Sequence, residues 1–68
     1  MEKFIKRLKE LRAEKGLTQA QLAKATKIST TAISYWENGE RIPNAKAVIT
    51  LARFFEVTTD YLLGESDF

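Results

Sequence analysis

The chain has 68 residues, which is enough for one small domain built around a single core. It contains no cysteine and no histidine, so the sequence excludes a disulfide framework and a zinc site made from those residues, and it has no apolar run near the roughly 20 residues that a membrane span needs. The formal net charge is +2, with ten basic and five acidic side chains in residues 1–46 against one basic and four acidic side chains in residues 47–68.

The spacing of apolar residues predicts an all-α fold whose first helix covers residues 2–15. Phe4, Leu8 and Leu11 recur at helical intervals and form one apolar stripe, whereas Lys and Glu fill the other faces. Gly16 follows as a residue that readily ends a helix. No alternating apolar pattern with a two-residue turn predicts a strand.

Two short helices follow, and each begins at a hydroxyl residue. Thr18 and Gln21 have the spacing of a capping box, which predicts a second helix over about residues 18–25. Ser29 caps a third helix over about residues 29–38, which ends at an Asn-Gly pair. A short helix, a tight turn and a second short helix form a helix-turn-helix unit, which lays its second helix in the major groove of DNA.

Two further helices complete the predicted domain. Asn44 caps a fourth helix over about residues 45–55, and Thr58 caps a short fifth helix. We therefore expect a compact five-helix domain over residues 1–64. Residues 65–68 are expected to form a frayed tail.

Motifs distributed along the chain resemble those of a known family. They are Leu17-Thr18-Gln19-x-x-Leu22-Ala23, Ile28-Ser29, Ile33-Ser34-x-Trp36-Glu37-Asn38-Gly39, Pro43, Leu51-Ala52 and Val57-x-x-Asp60-Tyr61-Leu62-Leu63-Gly64. In this order and spacing, the chain resembles the repressor and Cro (Cro/C1-type) proteins of lambda-like phages and the wider Xre family of regulators, from about Phe4 to Gly64. The resemblance implies a lambda-repressor-like fold and binding to DNA. Lys27 departs from the pattern, because it holds a position in the tight turn where the family often has Gly.

The resemblance places the base contacts near the start of the third helix. The implied residues are Thr30, Thr31, Ser34 and Tyr35. Threonine methyl groups can pack on thymine methyl groups and hydroxyls can donate or accept hydrogen bonds, whereas the Arg, Asn and Gln side chains that bind a purine at two atoms are absent. We therefore expect DNA shape and water-mediated contacts to carry part of the specificity. The alternative is that these four are solvated polar residues on a short helix.

The resemblance also implies contacts to DNA phosphates on both sides of the third helix. The candidates are Gln19, Lys27, Asn38, Arg41 and Lys46. No acidic residue lies between Leu17 and Trp36, so this segment lacks charge that repels phosphate. The alternatives are that Asn38 only ends a helix and that Arg41 is only solvated, and Glu40 beside it weakens the local positive potential.

The resemblance also implies two groups with structural or assembly roles. Arg12 and Glu37 are expected to form a structural salt bridge between the first helix and the end of the third. Trp36 is expected in the core. The implied dimer face consists of Phe54, Glu56, Val57, Thr58 and Tyr61. Phe54 stands next to Phe55, which lies on the buried apolar stripe of the fourth helix. We therefore expect the Phe54 side chain to lie off that stripe and to be exposed.

We interpret the chain as a cytoplasmic transcriptional regulator, a repressor that binds a palindromic operator as a homodimer with half-sites roughly 10 base pairs apart. Catalysis is not expected, because the chain lacks histidine, cysteine, a Gly-rich phosphate loop and a paired carboxylate site. The sequence indicates no cofactor, metal, small-molecule ligand or membrane partner. Two alternatives remain: a protein-interaction helix-turn-helix module of the antitoxin or antirepressor kind, or the DNA-binding fragment of a longer repressor.

Overall fold

The computed structural model describes all 68 residues and contains five helices and no strand, which confirms the predicted all-α fold. The helices are α1 (Glu2–Glu14), α2 (Gln19–Thr26), α3 (Thr30–Glu37), α4 (Ala45–Phe55) and α5 (Thr59–Leu63). None of them has the length and apolar character of a membrane-spanning helix.

Side-chain caps begin four of the helices at the residues that the sequence predicts. The four caps are Thr18, Ser29, Asn44 and Thr58, and each accepts a hydrogen bond from the backbone N–H three residues later. The predicted capping box is complete, because the Gln21 N–H donates to Thr18 Oγ1 at 3.1 Å and the Thr18 N–H donates to Gln21 Oε1 at 2.9 Å. A cap of this kind contributes about 1 kcal/mol. The caps therefore fix where α2 to α5 begin.

One apolar core joins all five helices. Its largest fully buried side chains are Phe4, Leu8, Leu22, Ile33, Leu51 and Leu62. Each helix supplies at least one of them, and burial of a side chain of this size contributes about 1.5–3 kcal/mol. The core holds α3 through Ile33 and Trp36, so the opposite side of α3 faces outward.

Two residues other than glycine adopt the left-handed backbone conformation, each at the end of a helix. Lys27 follows α2 with φ 61°, and Glu56 follows α4 with φ 58°. The backbone strain expected if Lys27 were left-handed is therefore present, and such a conformation costs a residue with a Cβ about 1 kcal/mol. The same strain at Glu56 was not expected, since no motif in the sequence marks that position.

Phe54 is half-buried against the core, whereas the sequence analysis predicts an exposed side chain. Its ring meets the Phe55 ring edge to face with centres 5.1 Å apart, and Lys15 Nζ lies 5.5 Å from the ring centre. The prediction was wrong because helical register alone does not show how much of a side chain beside the buried stripe packs against the core.

Residues 65–68 contact the folded domain, although the sequence predicts a frayed tail. The Arg7 guanidinium donates hydrogen bonds to the carbonyl oxygens of Tyr61 and Ser66, and it lies 4.2 Å from the Tyr61 ring centre. It also forms an ion pair with Asp67 at 3.6 Å. These contacts join α1 to α5 and the tail.

Candidate nucleic-acid interface

The outward side of α3 brings together the four predicted base-contacting residues. We call Thr30, Thr31, Ser34 and Tyr35 the α3 surface. Thr30 and Thr31 are exposed, and Ser34 and Tyr35 are half-buried. No hydrogen bond within the protein engages the four hydroxyl groups, whereas the nearby Thr26 hydroxyl donates to the Leu22 carbonyl oxygen at 2.8 Å. The α3 surface therefore presents free hydroxyl groups that can donate to or accept from a base edge or a phosphate.

The turn between α2 and α3 sets the direction of the α3 surface. Lys27 ends α2, and the backbone N–H groups of Lys27 and Ile28 both point back to the Ala23 carbonyl oxygen. Ile28 then packs against the core, and Ser29 begins α3 by accepting a hydrogen bond from the Ala32 N–H at 3.0 Å. Residues 27–29 alone thus separate α2 from α3, which is the short turn of a helix-turn-helix unit.

A buried ion pair holds α3 against α1 and α2. Arg12 Nε and Nη2 donate to the two carboxylate oxygens of Glu37, each at 2.8 Å, and Gln19 Nε2 donates to Glu37 Oε1 at 3.1 Å. Arg12 Nη1 also donates to the Leu17 carbonyl oxygen at 2.9 Å. The Glu37 side chain is only 3% exposed. We call Arg12, Gln19 and Glu37 the Glu37 network. It includes the salt bridge between Arg12 and Glu37 that the sequence predicts.

Opposing effects determine the charge state of Glu37. Burial favours the neutral carboxyl and acts to raise its pKa, but the hydrogen bonds from Arg12 and Gln19, together with the charges of Arg12 and Lys9, outweigh burial. The pKa of Glu37 therefore lies below its ordinary value. The hydrogen bond to Glu37 raises the pKa of Arg12, against the effect of burial. Both groups are charged at neutral pH.

Gln19, which the sequence predicts to contact a DNA phosphate, also has a hydrogen-bond partner within the protein. Its side chain is half-buried, and Nε2 donates to Glu37. An amide has two N–H donors and one acceptor oxygen, so the Gln19 side chain retains one N–H and Oε1 for another contact. The Glu37 network thus fixes the orientation of this amide, and the phosphate contact stays a prediction.

The other predicted phosphate-binding side chains are all exposed. Lys27 and Lys46 line one shallow groove together with Ile28 and Trp36, which brings two cations from distant parts of the chain to one side of α3. Asn38 follows α3 and donates from Nδ2 to Glu40 Oε1 at 3.4 Å. Asn38 is therefore the C-cap of α3 as well as a candidate for phosphate contact.

Arg41 lies over the ring of Tyr35, a contact that the sequence does not predict. Its guanidinium carbon is 4.8 Å from the centre of the ring. Both side chains line a shallow groove with Thr31 and Ile42. An alternation of Arg and aromatic residues could have suggested such a pair, but Tyr35 and Arg41 are separated by the end of α3, so no helical spacing relates them.

The predicted dimer face is only partly exposed. Glu56 and Thr58 are exposed, whereas Phe54, Val57 and Tyr61 are half-buried. Apart from the terminal Met1 and Phe68, the exposed large apolar residues are Ile42 at 71% and Ile49 at 43%, and the sequence analysis selected neither. Ile49 lies in an open groove, which we call the Ile49 groove, lined by Pro43, Ala45, Val48, Ile49, Thr59 and Leu63.

The site contains no arrangement of metal ligands. No group of three or more His, Cys, Asp or Glu side chains in the chain could hold a metal ion. The exposed polar groups beside α3 are hydroxyls, amides and cations. Such groups bind phosphate oxygens and the edges of bases.

Comparison with known proteins gives matches over most of the chain. The sequence model of a protein family described as helix-turn-helix matches residues 8–62. The HTH-type transcriptional activator BcrR of Enterococcus faecalis is 46% identical over 61 residues, which cover 90% of this chain and 30% of BcrR. The HTH-type transcriptional regulator ImmR of Bacillus subtilis is 37% identical over 62 residues, which cover 91% of this chain and 49% of ImmR.

A phage protein is also similar. Repressor protein C2 of Salmonella phage P22 is 35% identical over 57 residues, which cover 84% of this chain and 26% of C2. The chain therefore spans less than half the length of each of these three relatives.

Proposed function

Because the chain belongs to the helix-turn-helix family, we propose that it regulates transcription by binding double-stranded DNA in a sequence-specific way, with α3 in the major groove. The observation that carries this proposal is the α3 surface, whose hydroxyl groups have no partners within the protein. The one acidic side chain of α2 and α3 is Glu37, which is buried and paired with Arg12. Phosphate groups can therefore approach α3 without meeting an exposed negative charge on either helix.

The side chains around α3 divide into two kinds of contact. Thr30 and Thr31 lie in the first turn of α3, where helix-turn-helix proteins contact base edges, and their methyl groups fit thymine. Lys27, Arg41 and Lys46 carry positive charge at the margins and suit phosphates. The first group supplies sequence preference, and the second supplies most of the affinity.

The salt dependence of DNA binding tests this proposal against a protein-interaction module. Three cations in each of two subunits would neutralise about six phosphates, so log K should fall against log salt with a slope of about −5. Fluorescence anisotropy of a labelled duplex should then show a loss of affinity of roughly 1000-fold between 50 and 200 mM salt.

A matched control separates specific contacts from general positive charge. Arg53 is exposed and is the one basic residue in the acidic stretch of residues 47–68. Arg53→Ala should leave the salt slope unchanged, whereas Lys46→Ala removes one phosphate contact from each of two subunits and should reduce the magnitude of the slope by about 2. No measurable affinity at 50 mM salt would favour the protein-interaction module.

We further propose that two copies bind one operator, each contacting a half-site, with half-site centres roughly 10 base pairs apart. The contact between the two copies involves one of two surfaces: the predicted dimer face around Glu56 or the Ile49 groove.

Disulfide cross-linking distinguishes the two surfaces. The chain has no cysteine, so a single introduced cysteine can cross-link only to the same cysteine of a second copy. Glu56→Cys should cross-link to its copy on operator DNA if the predicted dimer face is correct. Ile49→Cys should cross-link instead if the Ile49 groove forms the contact, and Ala13→Cys on α1 is the exposed control.

Repression is the regulatory effect that we favour. A dimer on an operator excludes other proteins from the same DNA without any additional contact. The name of BcrR describes an activator and that of P22 C2 a repressor, so the family includes both effects. A reporter gene placed behind the selected operator should fall in expression when the chain is produced, and a rise would contradict repression.

A further inference from the structure

The contact between Tyr35 and Arg41 joins the α3 surface to one of the predicted phosphate-binding residues. The Arg41 guanidinium carbon lies 4.8 Å from the Tyr35 ring centre, within the range of a favourable cation–π contact. Arg41 is exposed, and no hydrogen bond or ion pair within the protein engages its side chain. The adjacent Glu40 carboxylate instead accepts a hydrogen bond from Asn38 at 3.4 Å. The ring of Tyr35 is therefore the contact that orients Arg41.

This mode of contact leaves the hydrogen-bonding groups of Arg41 available. A cation over a ring is held by the negative face of the aromatic system and uses no N–H donor. All five guanidinium N–H groups can then donate to oxygen acceptors outside the protein. Their planar, forked arrangement matches the two free oxygens of a phosphate.

The position of the pair favours a phosphate over a base as its ligand. Arg41 lies in the connection between α3 and α4, beyond the end of α3 at Glu37. Helix-turn-helix proteins contact base edges with the N-terminal residues of the second helix, which here means the turn that begins at Thr30. A side chain beyond the opposite end of α3 is placed to reach the sugar-phosphate backbone. Arg41 occupies one face of the Tyr35 ring, so that face is not free to pack on a base.

We propose that Tyr35 is a positioning residue for Arg41, and that the pair binds one DNA phosphate as a single unit. This inference rests on the proposed function, because it assigns a role within DNA binding. It changes the role of Tyr35 from the base contact that the sequence predicts to support of a backbone contact. Tyr35 then contributes equally to binding of every DNA sequence, since phosphates carry no sequence information.

A double-mutant cycle measures whether Tyr35 acts through Arg41. Affinity for one duplex is measured by anisotropy at 50 mM salt for the wild type, Tyr35→Leu, Arg41→Ala and the double variant. Tyr35→Leu should lower affinity about two- to fivefold for each subunit that contacts the duplex, the range that corresponds to an exposed cation–π contact. Arg41→Ala should lower affinity about tenfold for each such subunit, as expected for loss of a charge-assisted hydrogen bond. The double variant should bind as Arg41→Ala does, because Tyr35 has no residue left to position.

Conservative variants and a second duplex separate positioning from direct contact. Tyr35→Phe keeps the ring face and should retain wild-type affinity. Arg41→Ala removes one cation from each of two subunits and should reduce the magnitude of the salt slope by about 2, whereas Tyr35→Leu should leave it unchanged because the charge remains. The loss caused by Tyr35→Leu should be the same on a selected operator and on a scrambled duplex. Circular dichroism checks folding, and Tyr35→Met, which also lacks the ring, replaces Tyr35→Leu if that variant unfolds.

Three results would overturn the proposal. In the first, the affinity losses of Tyr35→Leu and Arg41→Ala multiply in the double variant. In the second, Tyr35→Phe binds DNA as weakly as Tyr35→Leu does. In the third, Tyr35→Leu loses affinity for the selected operator but not for the scrambled duplex. Each would assign Tyr35 a direct contact of its own. Failure of the wild-type chain to bind any duplex at 50 mM salt is a different outcome, because it would remove the proposed function itself.

Discussion

Replacing Arg12 with Met should destabilise the domain by about 3 kcal/mol. The substitution keeps an apolar stem of similar length but leaves the Glu37 carboxylate, which is 3% exposed, without its charged partner. Loss of one partner of a buried ion pair costs about 3–5 kcal/mol. The lower end applies here because Gln19 still donates to Glu37 and because the Arg12 side chain is 22% exposed, which lets water approach the carboxylate.

A loss of this size should be visible in equilibrium unfolding. A domain of 68 residues has a total stability of about 3–10 kcal/mol, so the variant should lose much of it. Urea unfolding can be followed by circular dichroism and by fluorescence of Trp36, which is 7% exposed and adjacent to Glu37. The urea midpoint should fall markedly in Arg12→Met with little change in slope.

Glu37→Gln provides the companion variant. It preserves the side-chain volume and removes the charge that Arg12 would otherwise have to neutralise. We therefore expect Arg12→Met combined with Glu37→Gln to be more stable than Arg12→Met alone, although both single changes destabilise. A loss below about 1 kcal/mol for Arg12→Met, or a double variant less stable than Arg12→Met, would refute the reasoning.

Three further predictions concern the backbone strain at Lys27, the close approach at Gly64 and the pH dependence of stability. Lys27→Gly should raise the free energy of unfolding by about 0.5–1 kcal/mol, because glycine adopts φ 61° without strain, and urea unfolding that shows no gain would contradict this. Gly64→Ala should cost about 2 kcal/mol, because φ is 86° and an added Cβ overlaps the Lys3 side chain. Gly16→Ala, at φ 66° with no atom within 4 Å of the added Cβ, should cost only about half as much in the same assay. The lowered pKa of Glu37 means that its charge stabilises the fold above its unfolded pKa of about 4.3. Stability should therefore decline as pH falls from about 5 through the folded pKa, and Glu37→Gln should flatten that decline in urea titrations at stepped pH.

The local features of the fold could be predicted from the sequence. The caps at Thr18, Ser29, Asn44 and Thr58 involve residues three positions apart, so neighbouring side chains contain the whole signal. The family resemblance is confirmed by the match over residues 8–62. It supplied the salt bridge between Arg12 and Glu37, which no local rule would have paired.

Contacts between distant residues could not be predicted in the same way. Arg7 reaches Tyr61 and Ser66 across 54 and 59 positions, and no periodic pattern relates residues so far apart. The contact of Lys15 with the Phe54 ring likewise joins two residues that no periodic pattern relates.

Parts of the candidate site were also missed for physical reasons. The position of Arg41 over Tyr35 depends on how the α3–α4 connection turns, which Pro43 restricts but does not determine. The exposure of Ile49 depends on which side of α4 packs on the core, and the exposure of Ile42 depends on the path of the α3–α4 connection. An apolar residue in a sequence does not by itself show whether it is buried or exposed.

Selection from a random pool of DNA duplexes at low salt tests the central claim most directly. The account predicts enrichment of an approximate palindrome whose half-sites lie about one helical turn, roughly 10 base pairs, apart. The positions facing Thr30 and Thr31 should be rich in thymine rather than in strictly required guanine. Enriched sites that demand guanine at every contacted position would contradict the assigned base contacts. A pool that shows no enrichment would contradict sequence-specific DNA binding by this chain.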